Sequence, residues 1–115
     1  ELKGLFYVGE TITKQDDIRL NTINGISVSA DFINIEPILE PVDLFDKLIG
    51  DTVYRQIIIG AETGNRKDKV TPKKEWIDDL VRQADEHRIR VFMKESLKSI
   101  MGTDFRQDKL IWSVE

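Results

Sequence analysis

The sequence predicts an α/β protein, and more narrowly a partial (β/α) barrel of four or five parallel strands joined by helical crossovers. Three observations carry that expectation. Four short apolar runs rich in β-branched and aromatic residues are separated by segments with helical periodicity. The runs show little apolar/polar alternation, as strands buried on both faces would. A glutamate follows each of the first three runs, at the end where parallel α/β folds place their sites.

The predicted strands are Leu5-Phe6-Tyr7-Val8, Phe32-Ile33-Asn34-Ile35, Gln56-Ile57-Ile58-Ile59 and Arg90-Val91-Phe92-Met93. The clearest helix begins at Thr71-Pro72, a cap followed by a proline in the first turn, and ends near His87. Trp76, Ile77, Leu80, Val81 and Ala84 form its apolar face. Pro41 through Leu48 reads as a shorter helix, with Val42, Leu44, Phe45, Leu48 and Ile49 apolar and Gly50 as its stop. Residues 15–24 and 96–101 are further short helical segments. Leu110-Ile111-Trp112 is either a fifth strand or a tail packed on the barrel floor.

Composition narrows the chemistry. The 115 residues suit one domain, 1–115, and a net charge of -4 gives no general attraction to nucleic-acid phosphates. No apolar run approaches the roughly 20 residues needed to span a bilayer, and nothing resembles a secretion leader, so a cytoplasmic setting is expected. With no cysteine, the chain offers no thiolate for zinc or an iron–sulfur cluster. The single histidine, His87, suits a helix C-terminus better than a metal site. Neither a P-loop nor a dinucleotide fingerprint is present.

Glu10, Glu36 and Glu62 stand 26 residues apart (36 − 10 and 62 − 36), and the fourth run ends in Lys94-Glu95. Equal spacing suggests a βα repeat that brings Glu10, Glu36, Glu62 and Lys94 to one rim as ligand-binding residues. Three carboxylates there require ligands or partners, and Lys94 is a natural one. The competing structural account makes each glutamate a helix cap or the partner of a neighbouring lysine. Gly60 and Gly64 permit either a tight turn or close backbone approach to a ligand. Gly64-Asn65-Arg66-Lys67-Asp68-Lys69 is more simply a solvated charge run than an anion site. Trp76 reads as core, and Asp16-Asp17 as acidic residues of a first helical turn.

The ordered motifs Tyr7-Val8-Gly9-Glu10-Thr11, Asn34-Ile35-Glu36-Pro37-Ile38-Leu39, Val42-Asp43-Leu44, Ile59-Gly60-Ala61-Glu62-Thr63-Gly64, Glu75-Trp76-Ile77 and Val91-Phe92-Met93-Lys94 resemble the C-terminal half of the phage gene-product-37/gene-product-68 family. Proteins of that family look like radical S-adenosylmethionine barrels. Ala61, Asn34 and Glu95-Ser96 depart from its pattern, and the family's cluster-binding cysteines belong to the other half. The resemblance implies S-adenosylmethionine and an iron–sulfur cluster in a longer parent protein, with neither bound by this chain alone. It also implies that the missing N-terminal half of the barrel is the principal partner. The start at Glu1, directly before a strand-like run, fits a cut through such a parent, or a removed tag. Exposed strand edges predict that the piece self-associates. Two other readings remain at this point: a phage-associated or genomic-island binding module without chemistry, and a carboxylate-based hydrolase of barrel fold. The latter needs two carboxylates about 5 Å or about 6.5–9.5 Å apart if it acts on glycosides.

Overall fold

The computed structural model describes residues 7–17, 22–23, 26–27, 31–49 and 53–113. Its centre is a parallel sheet of β1 (Gly9–Thr11), β4 (Phe32–Ile35), β5 (Gln56–Ile59) and β6 (Arg90–Met93), in that spatial order. Two short strands, β2 (Thr22–Ile23) and β3 (Ile26–Ser27), form a separate antiparallel pair. The helices are α1 (Phe45–Leu48), α2 (Lys74–Glu86) and α3 (Lys98–Met101). The chain is therefore an α/β protein with a four-stranded parallel sheet.

Strands β4, β5 and β6 occupy the residues the apolar runs predict. One face of the sheet is sealed: Ile33, Ile35, Ile57, Ile59, Val91 and Met93 are buried against Ile77, Leu80 and Ala84 of α2. Each such aliphatic side chain contributes about 1.5–3 kcal/mol through burial. The expectation of burial on both faces holds only for β5. In β4, Phe32 and Asn34 are half-buried, and in β6 Arg90 is exposed and Phe92 half-buried. No described helix covers that second face.

The first strand lies further along than expected. Leu5 and Phe6 fall outside the described residues, and the ladder begins at Gly9 rather than ending at Val8. The Val8 N–H is taken by the Asp31 carboxylate at 2.9 Å, so regular pairing starts one residue later. Gly9 leaves room there for the Phe32 ring, since a Cβ would lie 2.3 Å from it and the ring would have to shift.

The helix expected from Pro41 forms only from Phe45. Gln83 of α2 claims the preceding backbone, accepting from the Leu44 N–H at 2.7 Å and donating to the Val42 carbonyl at 3.1 Å. Gln15 takes the Asp43 N–H in the same way. Val42 and Leu44 are buried as expected, but Phe45 and Ile49 are exposed and Lys47 turns inward instead. The long helix starts at Lys74, two residues after Pro72. Pro72 is buried, Lys73 is extended, and Lys74 anchors the first turn on Asp78 and Asp104.

Within 15–24, residues 15–17 form a 3-10 turn, while Thr22–Ile23 is strand rather than helix and residues 18–21 and 24 lie outside the described set. Asp17 stabilises that turn by accepting from both Thr13 groups and from the Lys14 N–H. The 96–101 segment is helical as read: a 3-10 turn at Glu95–Leu97 runs into α3.

The C-terminal segment closes two openings. Residues 106–108 run antiparallel along the outer edge of β6, with bonds from Met93 N–H to the Arg106 carbonyl and from Asp108 N–H to the Val91 carbonyl. Leu110-Ile111-Trp112 then turns beneath the second face. Ile111 donates to Gln56 Oε1 at 2.9 Å, and Trp112 packs edge-on against Phe32 at 5.2 Å. It is a floor, not a fifth strand.

This packing makes a test of Gly9. In Gly9→Ala the Phe32 ring is displaced from its seat, weakening the fold by about 1–3 kcal/mol as overpacking does. Trp112 emission shifts to longer wavelength while Trp76 supplies a constant background. Unchanged emission and an unchanged urea midpoint would refute the ring's position.

Candidate functional site

Parallel register sets which side chains can meet. Ile35, Ile59 and Met93 are partners across β4, β5 and β6. The residues that follow them, Glu36, Gly60 and Lys94, therefore stand at one level at the carboxyl ends. Strand alternation directs all three to the sheet face that α2 does not cover.

At that level Lys94 Nζ lies 2.7 Å from Glu36 Oε1. The Lys94 side chain is 46% exposed and that of Glu36 28%, so the pair is open to solvent and to a ligand. Gly60 supplies the space for it, since a Cβ there would sit 2.9 Å from the Glu36 carboxylate. Gly60 also holds the turn after Glu36 through its backbone, donating to the Ile35 carbonyl and accepting from the Ile38 N–H. Glu36 is joined to Pro37 by a cis peptide bond.

The loop after β6 is tied into the same place. Lys94 N–H donates to the Ile59 carbonyl at 2.8 Å, and Ser96 Oγ accepts from the Ala61 N–H at 3.0 Å. Gln107 donates from Nε2 to the Met93 carbonyl. Glu36, Thr63, Phe92, Lys94, Glu95 and Ser96, with Gln107, line an open cleft of about 560 Å³. That size lies within the roughly 300–1,000 Å³ usual for small-molecule sites.

The four residues read from the sequence do not share one cavity. Glu36 and Lys94 meet in the cleft. Glu10 is the register partner of Ile33 and so faces the opposite side of the sheet. There its carboxylate takes Lys47 Nζ and the Tyr54 hydroxyl. Glu62 folds back over its own loop, accepting from the Arg66 guanidinium and from the Val70 N–H at 3.2 Å. Phe92 and Gln107 were not read from the sequence as site residues. For Phe92 the signal was available, because it shares parity with Lys94 on the uncovered face.

Arg66 beside Glu62, with help from the Val70 N–H, holds that carboxyl far below its ordinary value, at about 2. Among the described residues no group of three or more His, Asp or Glu side chains is arranged to hold a metal ion.

The chain is thus an α/β protein whose parallel sheet carries an ion pair and an open cleft at its carboxyl ends. Residues 5–105 match the family described as "Protein of unknown function (DUF5131)", and the chain belongs to that family. Neither a curated protein nor a solved structure matches it.

The Glu62 latch has a defined pH window. Its folded-state pKa is depressed, so its contribution is complete above the ordinary value of 4.5 and is lost as pH falls through about 2. A carbon-detected NMR titration of the Glu62 carboxyl is expected to give a midpoint near the lower figure. A midpoint at the ordinary value would show that Arg66 does not latch the loop.

Proposed function

We propose that the chain is the C-terminal part of a (β/α) barrel of the radical S-adenosylmethionine type, whose substrate or cofactor cavity is lined in part by Glu36 and Lys94. One observation carries this reading. A charged pair joins the carboxyl ends of β4 and β6, the two parallel strands that flank β5, and faces the side of the sheet that no described helix covers. In a barrel that side is the interior, and the strand ends are where ligands bind. The resemblance of the ordered motifs to the phage gene-product-37/gene-product-68 family supports the same assignment.

The residues present do not fit an iron–sulfur cluster, since the chain contains no cysteine. On this reading the cluster ligands belong to the other half of the barrel. What this chain supplies is orientation: Lys94 donates to an anionic ligand group, and Glu36 accepts from a donor. Glu10 and Glu62 are removed from the ligand set by their own ion pairs. Alone, the chain is inert. Among the described residues no helix is long and apolar enough to cross a membrane, in keeping with a cytoplasmic parent.

The test uses the longer parent protein, reconstituted anaerobically with iron and sulfide. Iron–sulfur absorbance and saturable S-adenosylmethionine binding are expected; absence of both would overturn the proposal. Partner strands are sought at the β1 edge, because 106–108 already occupies the β6 edge. Among the described residues β1 pairs only with β4. The isolated chain is therefore proposed to self-associate through β1, as exposed edges do. Light scattering should give a mass that rises with concentration, and a constant monomer mass would count against it.

A further inference from the structure

The cleft presents a matched pair of opposite charges beside an aromatic surface. Lys94 and Glu36 are within hydrogen-bond distance of each other at 2.7 Å, and both retain solvent exposure. Such a pair is worth little to the fold, about 0–1 kcal/mol. It can open at small cost when each charge finds a better partner. Phe92 lies in the same lining on the face that Lys94 occupies, and Thr63, Ser96 and Gln107 surround it with neutral polar groups. Ser96 accepts from Ala61, which leaves its hydroxyl hydrogen for a ligand oxygen. Glu95 adds a second carboxylate to the rim, so the charged lining is Glu36, Glu95 and Lys94.

We infer that this cleft binds the ammonium and carboxylate of a free α-amino acid, with an apolar side chain laid against Phe92. The ligand carboxylate takes Lys94 and the Ser96 hydroxyl; the ammonium takes Glu36, with Glu95 reinforcing the preference for a cation. One internal ion pair is exchanged for two with the ligand. A ligand with one charge only forms one of the two new ion pairs, and that difference in affinity is the source of specificity. The inference rests on the cleft being a ligand site, and it specifies the ligand class that the barrel reading leaves open.

The experiment titrates the 115-residue chain with L-phenylalanine, phenethylamine and 3-phenylpropionate, following backbone and side-chain amide NMR signals. L-phenylalanine should produce saturable shifts at Ala61, Lys94, Ser96 and the Gln107 side chain. The two singly charged analogues should bind about tenfold or more weakly, a difference of about 1.4 kcal/mol. Lys94→Met should erase the preference for L-phenylalanine over phenethylamine, and Glu36→Gln its preference over 3-phenylpropionate. Equal affinities for all three compounds, shifts elsewhere, or no saturable shift would each overturn the inference. A parallel titration with S-adenosylmethionine separates two sources of the same zwitterion. Tighter binding than L-phenylalanine assigns the groups to the cofactor's amino-acid end, and weaker binding assigns them to a substrate. Loss of iron–sulfur chemistry in the parent would defeat the barrel reading and leave these titrations standing.

Discussion

The register of β4, β5 and β6 is the constraint on which the site depends. Parallel pairing of Ile35 with Ile59 and of Ile59 with Met93 places the next residue of each strand at a common height. Those residues are Glu36, Gly60 and Lys94, one acid, one residue without a side chain and one base. The carboxylate crosses the space above the glycine and reaches the lysine on the far strand. A one-residue slip of either pairing would turn its apolar residues from the helix-covered core to the uncovered face. The buried isoleucines, valine and methionine therefore hold the ion pair in register, although none of them touches it.

The same register explains why equal spacing of glutamates misled. The structural repeat passes through Thr11, Asn34, Ile58 and Phe92, with steps of 23 (34 − 11), 24 (58 − 34) and 34 (92 − 58). A period of 26 matches none of these. Glu10 lies within β1, opposite Ile33, whereas Glu36 lies beyond the end of β4. Glu62 lies two residues past Gly60. Sequence spacing counts connecting residues together with strand residues, so it registers a true repeat only when the connections have equal length. The central strands were legible because Phe32–Ile35, Gln56–Ile59 and Arg90–Met93 are dense in β-branched and aromatic residues. Strand β1, with Gly9-Glu10-Thr11, carries no such signature, and its limits are set by Asp31 and Phe32, residues more than twenty positions away.

Charge placement divides the predicted acids by what each must satisfy. Glu10 sits at a sheet edge on the helix-covered side, where Lys47 is almost fully buried. Breaking that pair would leave a buried ammonium without its carboxylate, a costly state, so this contact serves the fold. Glu62 is committed to Arg66 and Val70 and shapes the loop after β5. Glu36 differs because its partner, Lys94, is half-exposed and lies beyond a neighbouring strand, at the mouth of the open cleft. Three glutamates that look alike in sequence thus have three roles, set by where each partner lies: a buried lysine for Glu10, an arginine of its own loop for Glu62 and an exposed lysine two strands away for Glu36.

The C-terminal segment gives the uncovered face its direction. By pairing with β6 through residues 106–108, it occupies an edge that another strand would otherwise take. Arg106 fixes this arrangement by reaching both Asp108 and Asp85 at the end of α2. Beyond it, Ile111 and Trp112 cover the amino-terminal rows of the same face, where Gln56 and Phe32 lie. With that end filled by aromatic and aliphatic groups, the accessible part of the face is at the carboxyl ends. Lys94, Glu36 and Phe92 are the residues found there, so the tail that covers one end of the face leaves the charged rim as its open part.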